Sequence, residues 1–232
     1  MPNPIIVALD VSAERASQLV DELAPVVGAF KIGSTLFTSA GPEFVRKVRA
    51  TGASVFLDLK FHDIPNTVAG AVASATALDV QMITIHACGG GEMMKAAEDA
   101  AQKTAREMNR PAPLVLGVTV LTSMDDTTLR EVGLPASADQ QVVHLAQLAA
   151  KAGLRGLVCS PLEVTKLRSF IPKTMQLVTP GIRTGNEKAD DQKRTMSPKE
   201  ALAAGANWLV IGRPIYAAAN PRQAAESILS SL

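Results

Sequence analysis

Eight times along 232 residues the chain repeats one pattern, a short and almost uninterrupted apolar run followed by a stretch of helical character. The runs are Ile5 to Asp10, Ala29 to Gly33, Ser54 to Leu59, Met82 to His86, Leu114 to Leu121, Gly156 to Cys159, Gln176 to Thr179 and Trp208 to Ile211. Strands that are apolar on both faces belong to parallel sheets covered on both sides. Alternation alone admits a doubly wound open sheet. Eight units without a linker or composition break, in a chain near the roughly 250 residues typical of the fold, favour a closed (β/α)8 TIM barrel. It is read as one α/β domain over residues 1–232.

Helix signals punctuate the runs. Ser12 N-caps a helix to about Ala24 with Ala16, Leu19, Val20 and Leu23 as its apolar face. Gly41-Pro42 opens a helix through about Arg49. Others run from about Thr67 to Leu78, from Gly89-Gly-Gly91 to near Glu107, and from Asp139 to Ala152 before Gly153. Ser160-Pro161 starts another. Ser197-Pro198-Lys199-Glu200 reads as a capping box whose helix ends at Gly205.

Hydrophobic residues at 47% and charged residues at 19% describe a globular chain with material for a large core. A net charge of +1 without a basic block, and 3% aromatics, argue against nucleic acid as a partner. Cys88 and Cys159 lie far apart outside any C-x-x-C, and the three histidines have no metal-like spacing. A reduced compartment fits better than secretion. The first residues carry no signal-like pattern, and no apolar run reaches the roughly 18 residues of a membrane span. The expectation is a cytoplasmic protein with no membrane partner and no metal.

In a barrel of this kind the active site lies where strands end and loops begin. Polar residues gather there: Asp10, Lys31, Asp58, Lys60, His86, Thr122, Arg183 and Arg213. Asp58 and Lys60 are two apart, so an extended backbone projects both from one face. Four alternating charges, Asp10, Lys31, Asp58 and Lys60, are costly to desolvate unless paired or used. Ion pairs capping the barrel are the plain reading, and a charged active site is the functional one.

Gly212 lets a ligand approach the backbone, Arg213 suits phosphate oxygens, and the helix from about Pro214 aims N–H groups at an anion. Gly181 to Met196 is long for a compact domain, either a surface loop or a lid with Gln192 closing over the ligand. Gly89-Gly-Gly91 reads as a tight turn. His62 and His86 are scaffold or acid–base groups, His144 is surface or interface, and Cys159 is a small buried hydrophobe.

The string Asp58-Leu-Lys60-Phe-His62-Asp63-Ile64-Pro65-Asn66-Thr67 resembles the orotidine 5′-phosphate decarboxylase family in its bacterial branch. So do Ala8-Leu-Asp10, Lys31-Ile-Gly33, Val120-Leu-Thr122-Ser123, Thr179-Pro-Gly181-Ile-Arg183, Asp191-Gln192 and Val210-Ile-Gly212-Arg213-Pro214. The D-x-K-x-x-D core is shared by a wider set of barrels, whereas the extended string with the phosphate-end motif is specific.

The resemblance implies a homodimeric barrel that converts orotidine 5′-monophosphate to UMP and CO2, the last step of de novo pyrimidine synthesis, with no cofactor. It makes Asp10, Lys31, Asp58 and Lys60 the charge array and Lys60 the proton donor. Asp63 and Thr67 would reach the partner's site, with Ile64 counted in the substrate-binding set. Thr122 and Ser123 would lie against the base. Gln192, Gly212 and Arg213 would hold the phosphate, with Arg183 at the lid's root. Gln81 and Cys88 depart from the family pattern outside the charged array, which bears on packing.

The implied chemistry is physically coherent. Loss of CO2 at C6 leaves a carbanion without a good electron sink, so the transition state needs electrostatic stabilisation. Lys60 supplies a fixed positive charge and then a proton. Asp58 and Asp63 favour its charged form and crowd the substrate carboxylate. One close charge pair is worth about 4 kcal/mol at an effective dielectric of ~20. Enzymes remove about 8–23 kcal/mol of barrier, so remote phosphate binding must contribute through lid closure. One rival is a metal-dependent sugar-phosphate decarboxylase or aldolase of the same suprafamily, which carries Glu where this chain has Lys31. The other is a catalytically silent barrel that binds a phosphate ligand.

Overall fold

The computed structural model describes residues 3–183 and 195–232. Eight parallel strands close into a barrel in chain order, and the last pairs with the first. They are β1 (Ile5–Ala8), β2 (Ala29–Gly33), β3 (Val55–Phe61), β4 (Met82–His86), β5 (Leu114–Val118), β6 (Gly156–Val158), β7 (Gln176–Thr179) and β8 (Trp208–Ile211). The helices are α1 (Ala13–Leu23), α2 (Ser34–Ala50), α3 (Pro65–Ala77), α4 (Gly91–Glu107), α5 (Asp126–Glu131), α6 (Ala138–Lys151), α7 (Val164–Leu167), α8 (Pro198–Ala203), α9 (Arg213–Tyr216) and α10 (Pro221–Ser230). No helix among the described residues is long and apolar enough to cross a membrane.

Period-two alternation divides the apolar residues between two cores. Ile6, Ala8, Ala29, Phe56, Met82, Leu116, Val178 and Val210 fill the barrel. Their neighbours Ile5, Val7, Phe30, Ile32, Val55, Leu57, Ile83 and Ile85 pack outward with the helices. The inward row that begins with Ala29 and Phe56 continues upward into Lys31 and Asp58. The barrel's own pleat therefore aims the charges at its mouth.

Most helix signals hold. Ser12 accepts from the Arg15 N–H, and Ala16, Leu19, Val20 and Leu23 are the buried face of α1. Ser197 and Glu200 form the reciprocal capping box of α8, and Gly153 and Gly205 take positive φ just past their helices. Gly89-Gly-Gly91 is the expected tight turn, with Gly90 at φ +91°.

Several boundaries differ from the sequence expectation. Helix α2 starts at Ser34 and kinks through Gly41, whose φ of +66° lets the chain break and resume. Helix α3 begins at Pro65, and α5 was not expected at all. β1 ends at Ala8 and β5 at Val118. After Ser160-Pro161 a single 3-10 turn precedes the four-residue α7. β3 runs to Phe61, and its extra length is not regular strand. Gln81 stitches strands: its side chain accepts from the Val55 N–H at 2.8 Å and donates to the Asp79 carbonyl at 2.8 Å.

Candidate active site

A cavity of about 610 Å³ opens at the C-terminal ends of the strands. Asp10, Lys31, Asp58, Lys60, Thr122, Ser123, Arg183, Gly212 and Arg213 all line it. Asp63, Ile64 and Thr67 do not: they follow β3 on exposed surface, with Ile64 67% exposed. Gln192 lies outside the described residues, as does most of the expected lid. The two ends of that segment are pinned, because the Arg183 N–H donates to the Met196 carbonyl at 3.0 Å and the Met196 N–H to the Gly181 carbonyl at 3.2 Å.

The four expected charges form one continuous chain. Lys31 Nζ lies 3.1 Å from Asp10 Oδ1 and 3.7 Å from Asp58 Oδ2. Lys60 Nζ lies 2.9 Å from both oxygens of Asp58. Exposure rises from the centre outward, with side chains 12% exposed at Asp58, 13% at Lys31, 32% at Lys60 and 55% at Asp10. Burial alone would push the Asp58 carboxyl up. Lys31 and Lys60, with hydrogen bonds from Lys60 and Thr84, outweigh it and hold the group below the ordinary carboxylate value. Gly33 leaves the space this chain needs. A Cβ there would stand 3.0 Å from Lys31 Nζ and 3.7 Å from Asp10 Oδ1.

Asp58 and Lys60 share a face as expected, but not through plain extended backbone. Leu57 pairs with Ile83, and the next pairing is Phe61 with Ile85, so β3 spends four residues where β4 spends two. Within this bulge Lys60 takes φ +50°, a left-handed conformation unusual for a lysine. Its N–H donates to Thr84 Oγ1 at 2.9 Å, and the same hydroxyl donates to Asp58 Oδ1 at 2.9 Å. Thr84 is fully buried, behind the cavity wall. The sequence reading missed it; its signal was one hydroxyl at an inward position between the apolar Ile83 and Ile85.

His86, at the end of β4, packs its ring 5.6 Å from that of His62, and neither lines the cavity. Burial, then the nearby His62 and Lys60, push the His86 imidazole below its usual value, against the opposing pull of Asp58. His144 is exposed on α6.

The opposite wall is apolar, built from Val118, Val120, Val158, Ile182 and the buried Cys159. Cys159 is thus both packing and lining. Gly212 and Arg213 close one end together with Tyr216, which the sequence reading also missed. A Cβ on Gly212 would meet the Tyr216 ring at 3.3 Å. The lone tyrosine one turn past Gly212-Arg213-Pro214 was the available signal. The cavity therefore offers a charged wall, an apolar wall and a cationic end.

The model of the orotidine 5′-phosphate decarboxylase / HUMPS family matches residues 3–228. An orotidine 5′-phosphate decarboxylase of Opitutus terrae is 52% identical over the whole of this chain and 99% of its own length. That of Moorella thermoacetica is 49% identical over 99% of this chain and 92% of its own. The crystal structure of orotidine 5′-phosphate decarboxylase from Lactobacillus acidophilus superposes with a TM-score of 0.87 at 37% identity, covering 98% of each chain.

Proposed function

The chain belongs to the orotidine 5′-phosphate decarboxylase / HUMPS family, and we propose that within it this protein decarboxylates orotidine 5′-monophosphate to UMP in pyrimidine synthesis, as a cytoplasmic homodimer without a cofactor. The observation that carries the reading is the unbroken chain Asp10–Lys31–Asp58–Lys60 at the cavity wall. A reaction that creates a carbanion needs a fixed cation beside it, and a row of alternating charges anchored on the buried Asp58 fixes one before substrate arrives.

Position supports the following roles. The nucleotide's phosphate lies toward Gly212 and Arg213, the base lies against Thr122, Ser123 and the apolar wall, and C6 faces Lys60. The C6–carboxylate bond breaks, CO2 departs, and its electron pair stays on C6. The Lys60 ammonium stabilises that charge and then gives C6 a proton, forming UMP. Asp58 stays ionised in this site and anchors Lys60 and Lys31. Asp63 and Thr67, exposed beyond β3, serve the partner subunit's site, and Ile64 is placed with them.

The metal-dependent rival is disfavoured by chemistry at Lys31. An ammonium 3.1 and 3.7 Å from the Asp10 and Asp58 carboxylates occupies the charge balance that a divalent ion would need. Turnover is therefore expected to survive a chelator. The deciding experiment follows the ultraviolet change of orotidine monophosphate with wild type and Lys60→Ala. Turnover by wild type and its loss in the variant support the reading. A wild type that binds UMP without turnover establishes the silent binding barrel instead.

A further inference from the structure

We propose that Thr84 is a positioning residue for this decarboxylation: its buried hydroxyl locks the β3 bulge that turns Lys60 back over Asp58. The inference rests on the functional reading above and deepens it. Three observations converge. The ladder skips at one place only along β3, between Leu57 and Phe61, and Thr84 stands opposite that skip, between Ile83 and Ile85. Lys60 carries positive φ there. The Thr84 hydroxyl accepts from the Lys60 N–H within the skip at 2.9 Å and donates at 2.9 Å to Asp58 Oδ1, the same oxygen that takes Lys60 Nζ.

The geometry has a direct chemical meaning. In a regular strand the Lys60 N–H would bond to a backbone carbonyl of its neighbour. Here a side chain substitutes for that carbonyl, and its own proton is spent on the carboxylate that holds Lys60 Nζ. One hydroxyl thus sets both the root and the tip of the lysine. Deleting it leaves a part-buried N–H without its partner, and nothing then favours the left-handed backbone. The ammonium would relax away from Asp58 while the phosphate end of the cavity, built on β7 and β8, stays intact.

The test compares Thr84→Val, which keeps the shape, with Thr84→Ala and with Thr84→Ser, which keeps the hydroxyl. Thr84→Val and Thr84→Ala are expected to lower kcat about 100-fold, the cost of misplacing a reacting group by about an ångström. KM and UMP affinity should stay near wild type, and Thr84→Ser should recover most of kcat. A wild-type kcat in Thr84→Val, a loss carried by KM instead, or an equal loss in Thr84→Ser overturns the inference. It is also overturned if both hydroxyl-free variants fail to fold while Thr84→Ser folds, since the bridge would then serve the barrel alone. A crystal structure of Thr84→Val decides the point without turnover: Lys60 still at positive φ and still on Asp58 overturns it. Absence of turnover in wild type would fault the functional reading separately.

Discussion

Lys60 Nζ lies 2.9 Å from each carboxylate oxygen of Asp58, although only Leu59 separates the two residues along one strand. Neighbours on one face of a flat strand stand side by side and do not usually meet so symmetrically. The bulge folds the second residue back onto the first, so the carboxylate both neutralises the ammonium and fixes its direction. Lys31 approaches the same carboxylate from β2, which ties the geometry of two strands to one side chain.

This makes Asp58 a contributor to stability with a defined pH dependence. Its folded-state pKa lies below the ordinary 3.8, so the native state holds fewer protons than the unfolded chain in that region. The contribution is full above the unfolded value and is lost as pH falls through the folded one. Urea unfolding between about pH 5 and 3 should show wild type losing up to about 1.4 kcal/mol more per pH unit than Asp58→Asn. Equal slopes would mean that Asp58 is not held in this way.

Gly33 is expected to matter for catalysis more than for folding. Its backbone, at φ −91° and ψ 178°, suits any residue. The added methyl of Gly33→Ala would crowd Lys31 Nζ instead and shift it from Asp10 and Asp58. A fall in kcat/KM of about 10-fold or more is expected, with a melting temperature near wild type. If steady-state kinetics are unchanged, Lys31 has room the structure does not suggest.

Arg213 should act on binding. A charge-assisted bond to phosphate is worth about 1.5–3 kcal/mol, so Arg213→Ala should raise KM about 10- to 100-fold. Lysine at the same position should recover part of this, since it keeps charge but not the bidentate fork. Calorimetry with UMP measures the loss directly, and an unaltered UMP affinity would place the phosphate elsewhere.

Asp63 is tested by mixing. Lys60→Ala and Asp63→Ala proteins, each inactive, should regain about a quarter of wild-type activity when subunits exchange at random in a two-fold dimer. Half of the dimers are then mixed, and each has one site with both residues intact. No recovery after exchange is verified by mass would assign Asp63 to its own subunit.

Much of this site was legible in the sequence, and the residues that were not share a cause. Asp10, Lys31, Asp58, Lys60 and Arg213 announced themselves because a charge at the end of an apolar run has no packing reason to be there. Thr84 did not, because threonine suits a strand and its partners lie 24 and 26 residues away. The first half of α2 was missed for a local reason. Gly41-Pro42 looks like a helix start, and Gly33 at the N-cap offers no side-chain hydrogen bond to mark the earlier one. Helix α5 is one short stretch capped by Asp125, too brief for periodicity to register.

The left-handed backbone at Lys60 carries a consequence beyond geometry. At such a conformation a side chain costs about 1–2 kcal/mol relative to glycine. The barrel therefore stations the Lys60 ammonium, the proposed proton donor, at a position that stability alone would assign to glycine. If Lys60 has the proposed role, activity and robustness pull in opposite directions at this residue, and the chain as it stands favours activity.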